Sequence, residues 1–223
     1  MEANIIYNID CLTGLRNLPD DSIDCCVTSP PYFNLRDYGV SGQIGLEDTP
    51  EQYIQKLVGV FHEVRRVLAP AGTLWVNIGD CYAGSGKGAA NYPDNAMKYK
   101  QGTNRGTVGR SAIVKKFDGY KSKDLIGIPW MLAFALRADG WFLRQDIIWA
   151  KPNPMPESMK DRCTKSHEYI FLLTKSPKYY FDCEAIHEKA VTSGTIPTNA
   201  PRYGGNKYTA TPEKFYRTKS GNA

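Results

Sequence analysis

Residues 23–32 read Ile23-Asp24-Cys25-Cys26-Val27-Thr28-Ser29-Pro30-Pro31-Tyr32. The first half is a short apolar run, which predicts a buried β-strand. The second half cannot continue it. Two prolines fix φ and remove two backbone donors, so the chain must leave the sheet with its carbonyls held as rigid acceptors. Ser29 sets a hydroxyl beside them and Tyr32 adds a flat ring. Acceptors next to a ring suit a planar heterocycle that carries an exocyclic NH2: the amine needs acceptors and the ring face needs a stacking partner. The Ser29 hydroxyl and the Pro30 carbonyl are the candidate acceptors, Pro31 holds the turn, and Tyr32 is the candidate stacking surface.

Working outward, residues 4–9 are apolar enough for a strand, and Asp10 can cap a helix that carries Leu12, Leu15 and Leu18 on one face. Thr49-Pro50-Glu51-Gln52 is a capping box with proline at the first helical position. Ile54, Leu57, Phe61, Val64 and Leu68 follow at spacings of three and four, which predicts an amphipathic helix. Ala69-Pro70-Ala71-Gly72 ends it, and residues 73–78 predict a strand. Residues 79–123 have no periodicity and read as a loop of a length that is usually functional or disordered. A helix is expected over 129–138, closed by Gly140, then a strand over 141–149 and a proline-rich loop over 151–165. Residues 168–173 and 178–181 read as a hairpin joined by Thr174-Lys175-Ser176-Pro177. Alternating β and α segments predict an α/β fold, mostly parallel, with helices on both faces and a closing antiparallel hairpin.

Several of these stretches together resemble the amino-group DNA methyltransferases, which act on the N4 of cytosine or the N6 of adenine. Thr28-Ser29-Pro30-Pro31-Tyr32 is similar to that family's motif IV. Asn8-Ile9-Asp10-Cys11-Leu12 resembles its lead-in, and Gly72-Thr73-Leu74-Trp75-Val76-Asn77-Ile78-Gly79-Asp80 resembles its next strand. Trp149-Ala150-Lys151-Pro152-Asn153-Pro154 and Ser166-His167-Glu168-Tyr169 complete the match, which covers most of residues 4–185. The resemblance implies a Rossmann-like sheet using S-adenosylmethionine, with double-stranded DNA as partner. It also implies a permuted order in which the glycine-rich cofactor turn follows the target-recognition region. No Asp-Pro-Phe-x-Gly-Ser-Gly segment occurs in the sequence. The expectation is therefore a catalytic half over 1–185, an irregular tail or the start of target recognition over 186–223, and a further segment or second chain that completes the cofactor site. The isolated chain is then expected to be inactive.

The chain has 223 residues, enough for one good core, and a formal net charge of +5. The basic excess is concentrated. Between Gly84 and Lys123 nine Lys/Arg side chains face two aspartates, and Lys87, Arg105, Arg110, Lys115, Lys116, Lys121 and Lys123 are the candidate phosphate contacts. Six cysteines lie at 11, 25, 26, 81, 163 and 183 with no Cys-x-x-Cys spacing, so a zinc site is not expected. Cys25 and Cys26 read as small core residues. No segment has the pattern of a signal peptide or a membrane span, and a cytoplasmic location is expected. Carbon-5 cytosine methylation needs a cysteine nucleophile, typically after proline. No Pro-Cys dipeptide occurs, and that class is excluded.

Other residues carry two readings each. Asp10 is either a plain helix N-cap or, by the resemblance, a partner of the cofactor's adenine amino group, with Thr28 beside the same site. Asp80 either starts a loop or lines the base pocket. Lys151 either contacts a phosphate or the target base, with Asn153 in the same pocket, or is a solvated lysine. His167 reads as a packing residue. Serine in the first motif position favours cytosine N4 as the acceptor, with adenine N6 as the alternative. A non-catalytic DNA-binding fragment is the second alternative. Methylation of RNA or of a protein glutamine is disfavoured by Ser29 and by the basic loop.

Overall fold

A computed structural model describes residues 4–84, 116–154, 156–157 and 159–187. Packing divides the chain after Phe181. The first unit contains α1 (Cys11–Arg16), β1 (Ile23–Thr28), α2 (Pro50–Val67), β2 (Leu68–Ile78), α3 (Ile128–Ala138), β3 (Phe142–Ala150) and β4 (His167–Thr174). In the second unit the described residues hold one short 3-10 turn, Glu184–Ile186.

The strands form one sheet in the order β1-β2-β4-β3. β1 and β2 pair in parallel, and β4 runs antiparallel to β2 and to β3. Three strands therefore share one direction and β4, slotted between two of them, opposes it. The antiparallel pairing expected at the end of the fold is present, but its members differ from the expected hairpin. Residues 178–181 form no strand. Both edges of β4 are already taken, so a returning arm has no free edge to join. The chain after β4 is drawn to the start of β2 instead: Lys175 Nζ donates to Leu68 O at 2.7 Å, Ser176 Oγ to Pro70 O at 2.7 Å, and Tyr180 N to Ala71 O at 3.1 Å.

The helices begin where their caps place them. Asp10 accepts from Thr13 N at 3.0 Å, and Thr49 Oγ1 accepts from Gln52 N at 3.2 Å. Tyr53, Ile54, Leu57, Phe61 and Val64 of α2 and Leu132, Ala133 and Leu136 of α3 bury against Leu74, Val76 and Ile78 of β2 and Phe171 and Leu173 of β4. By strand alternation, Leu74, Val76 and Ile78 face the helices, while Trp75 and Asn77 face away.

Helices on both faces were expected; among the described residues α2 and α3 share one face. The other face carries exposed apolar side chains, Val27 at 77 % and Trp149 at 52 %. β1 is accordingly half-buried rather than fully buried. Cys26 packs toward the core, and Cys25, expected there too, is exposed. Residues 4–9 form no strand. They pair with no described strand, and Ile6 is 99 % exposed. None of the helices among the described residues is long and apolar enough to cross a membrane.

Candidate active site

β1 delivers Ser29-Pro30-Pro31-Tyr32 to the end of the sheet. This turn and the following Leu35, Arg36 and Tyr38 line a cleft of about 300 Å³. The turn is pinned from below. Tyr53 of α2 is fully buried, and its hydroxyl donates to the Pro31 carbonyl at 2.8 Å. Burial and the neighbouring Glu47 push the Tyr53 phenol far up, so it remains a donor. Phe33 stacks at a tilt on Tyr53 and on Phe117, with centroids 5.3 Å apart in each pair. Gly45, at φ +100°, passes so close that a Cβ there would lie 2.9 Å from Tyr32 O. Pro31 O is thus engaged by the core.

Tyr32 is held at both ends. Its ring lies against Gly79, where a Cβ would come within 2.7 Å of a ring carbon. Its hydroxyl is 2.5 Å from Asn77 Oδ1 and 2.8 Å from Glu168 Oε2. Ser29 Oγ is 3.4 Å from both the Tyr32 hydroxyl and Asn77 Oδ1. Glu168 also pairs with Lys151 Nζ. Burial pushes the Tyr32 phenol up to about 12, with Glu168 adding to the shift. Burial alone would raise Glu168; donation from Lys151 and Tyr32 outweighs it and holds the carboxyl below its usual range. The site thus combines an ionised carboxylate, a protonated phenol and an exposed serine hydroxyl around a flat ring.

A family profile described as DNA methylase matches residues 23–211. The chain belongs to this DNA methylase family. It is 52 % identical over 189 residues to the Type II methyltransferase M.Cfr9I of Citrobacter freundii, covering 85 % of this chain and 60 % of that protein. It is 44 % identical to M.XycI of Xanthomonas campestris pv. cyanopsidis, covering 97 % of this chain and 71 % of the relative. It is 51 % identical to M.SmaI of Serratia marcescens, covering 81 % and 59 %. The chain therefore spans about three-fifths to seven-tenths of the length of these relatives. Among solved structures, the cytosine-N4-specific PvuII DNA methyltransferase aligns with a TM-score of 0.52 at 17 % identity, covering 79 % of this chain and 50 % of that one. This is a likeness of fold.

In this DNA methylase chain, the other expected residues are less concentrated at the cleft. Thr28 ends β1, in register with Val76. Asp10 is the N-cap of α1. Hydrogen bonds from Thr13 hold its carboxyl below the usual range, and it is exposed. Asp80, read as either a loop start or a wall of the base pocket, holds the start of α3. Its Oδ1 accepts from the N–H groups of Cys81, Gly127 and Ile128 at 2.9–3.0 Å, and its Oδ2 from Gly127 at 3.1 Å. It caps α3, which lacks a side-chain cap of its own. Lys151, with 40 % of its side chain exposed, pairs with Glu168. Asn153 is exposed in the loop after β3. His167 packs edge-on against Tyr169 at 5.2 Å.

Lys87, Arg105, Arg110 and Lys115 lie outside the described residues. Lys116, Lys121 and Lys123 are exposed, and Lys123 pairs with Asp161 at 2.7 Å. Sequence reasoning missed Tyr53, Asn77, Gly79 and Glu168 as parts of the site. Asn77 left a signal, as a lone amide inside the apolar Trp75-Val76-Asn77-Ile78. Lys165 was also missed: its Nζ is buried with no hydrogen-bond partner among the described residues, and burial lowers its pKa.

Proposed function

We propose that this chain forms the base-binding part of a DNA methyltransferase that methylates an exocyclic amino group, with cytosine N4 favoured and adenine N6 as the alternative. The observation that carries this reading is the cleft itself: Ser29, Pro30 and Tyr32 around a space of about 300 Å³ at the end of β1. An exocyclic amine is a weak nucleophile because its lone pair is delocalised into the ring. The Ser29 oxygen and the Pro30 carbonyl, accepting from both N–H bonds, draw that lone pair out of conjugation and aim it. Tyr32 stacks on the base after it leaves the duplex. Base–aromatic stacking is worth about 1–3 kcal/mol, which offsets part of the few kcal/mol that flipping costs.

S-adenosylmethionine is the cofactor this reading requires, and it supplies the methyl group. The donor set fits one wall of its site. The exposed Asp10 carboxylate can accept from an adenine amino group or a ribose hydroxyl, and Thr28 ends β1. Lys116, Lys121 and Lys123, with the basic residues of 84–115, are proposed phosphate contacts.

In an enzyme that carries this chain, Ser29→Ala is expected to lower the single-turnover rate of methyl transfer far more than DNA affinity, because the hydroxyl acts as the lone pair develops. Equal single-turnover rates would remove Ser29 from the mechanism. Digesting the methylated DNA to deoxynucleosides and identifying the product separates the two acceptors: N4-methyl-2′-deoxycytidine supports the favoured reading, and N6-methyl-2′-deoxyadenosine supports the alternative.

A further inference from the structure

The grip on Tyr32 is more elaborate than packing requires. A ring that only closes an apolar gap needs no charged partner, yet Tyr32 has one. Glu168 stands near the start of β4 with only 18 % of its side chain exposed, and Lys151, just past the end of β3, is paired to it. Removing a carboxylate this far from water is costly unless it is paired and hydrogen-bonded, and an apolar pair of similar volume often holds two strands as well. What an apolar pair cannot do is give the Tyr32 hydroxyl a directional partner. The hydroxyl has one proton and two acceptors within reach, Asn77 Oδ1 at 2.5 Å and Glu168 Oε2 at 2.8 Å. A charged acceptor makes the stronger bond. The Asn77 amide donates in turn to Tyr169 O at 3.4 Å, so β2, β3 and β4 all converge on one phenol.

We propose that Glu168 and Lys151 are positioning residues for Tyr32: Lys151 holds the Glu168 carboxylate, and the carboxylate fixes the hydroxyl so that the ring stands at one angle as a wall of the cleft. The inference rests on Tyr32 being the surface on which the base stacks. A stacking surface must be rigid to discriminate, since a ring free to tilt accepts bases in many poses. The pair thus couples the antiparallel half of the sheet, which contributes no residue to the Ser-Pro-Pro-Tyr turn, to the geometry of that turn.

The test uses the 223-residue chain labelled with 13Cζ-tyrosine, with the Tyr32 signal assigned by its loss in Y32F. Circular dichroism confirms folding of each variant. Wild type is expected to show a single Tyr32 signal that persists into strongly alkaline solution. E168Q keeps an acceptor oxygen but loses the charge, so its Tyr32 signal should shift and titrate at lower pH. E168A should shift or broaden it further. K151M should also shift it in the wild-type background, and should add nothing in the E168Q background, because Lys151 acts through the carboxylate. A Tyr32 signal and titration unchanged in E168Q, or a K151M shift of full size in E168Q, overturns the proposal. Should E168A not fold, the comparison of E168Q with K151M decides alone. The measurement needs no DNA or cofactor, so its failure is distinct from a failure of the methyltransferase reading, which the Ser29→Ala rates address.

Discussion

The Tyr53 hydroxyl and the Pro31 carbonyl are joined by a 2.8 Å hydrogen bond that ties the second proline of the turn to the middle of the core. Tyr53 is fully buried in α2, and Phe33, next but one to Pro31, stacks on its ring. The turn therefore does not depend on its own short backbone for rigidity. It inherits the rigidity of a helix that packs on the whole sheet.

Tyr53→Phe should accordingly destabilise the protein by about 0.5–1.5 kcal/mol, the net worth of a typical intramolecular hydrogen bond. Urea denaturation read by circular dichroism measures this. A change of less than about 0.3 kcal/mol would mean that water takes over as the donor at no net cost.

Gly79→Ala should move Tyr32. The added Cβ would lie 2.7 Å from one ring carbon and 3.0 Å from another, and atoms this close must separate. Overpacking of this kind typically costs about 1–3 kcal/mol. The accompanying shift of the Tyr32 ring should appear in a structure of the variant, and an unmoved ring would contradict the contact described.

Tyr32→Phe should not be silent in stability. In binding to DNA with a mismatched target base the phenylalanine variant is expected to be nearly silent, since the ring is kept. The structure shows the hydroxyl engaged by Asn77 and Glu168, so its loss leaves Glu168 one donor short in a half-buried site. The expected loss is about 1 kcal/mol in stability, while Tyr32→Ala should lose more because it also removes the ring. Thermal unfolding of the pair checks the order, and equal values for Phe and wild type would detach the hydroxyl from the network.

The network also sets an acid limb. The Glu168 carboxyl sits below the usual value of 4.5 in the folded chain. A lowered folded pKa contributes stability that is fully present above the unfolded value and is lost as pH falls through the folded one. Stability should therefore decline from about pH 4.5 downward, and E168Q should flatten that decline. Denaturation midpoints at a series of pH values between neutral and strongly acid measure it. An equally steep acid limb in E168Q would place the titrating group elsewhere.

The sequence by itself determined the elements with strong local codes. Thr49-Pro50 with Gln52 starts α2 because a side-chain oxygen meets an orphan backbone donor within three residues. Ser29-Pro30-Pro31-Tyr32 ends β1 because proline cannot donate. The periodicities of α2 and α3 place their apolar faces. Each of these depends only on neighbours along the chain.

What lies across the chain was decided by tertiary structure alone. β4 pairs on both sides with β2 and β3, and that occupancy displaced the hairpin that local pattern favours. Residues 4–9 have the composition of a strand but pair with no described strand, and a strand without a partner leaves its backbone groups unpaired. Asp80 read equally as a loop start or a pocket wall, and only the fold brings its carboxylate to the N-terminus of a helix almost fifty residues later. Tyr32, Asn77, Glu168 and Lys151 come from four separate stretches, and no spacing rule connects them. Their meeting follows from strand order, because only a sheet with β4 between β2 and β3 brings an acid from one, an amide from the next and a lysine from the third to a single hydroxyl.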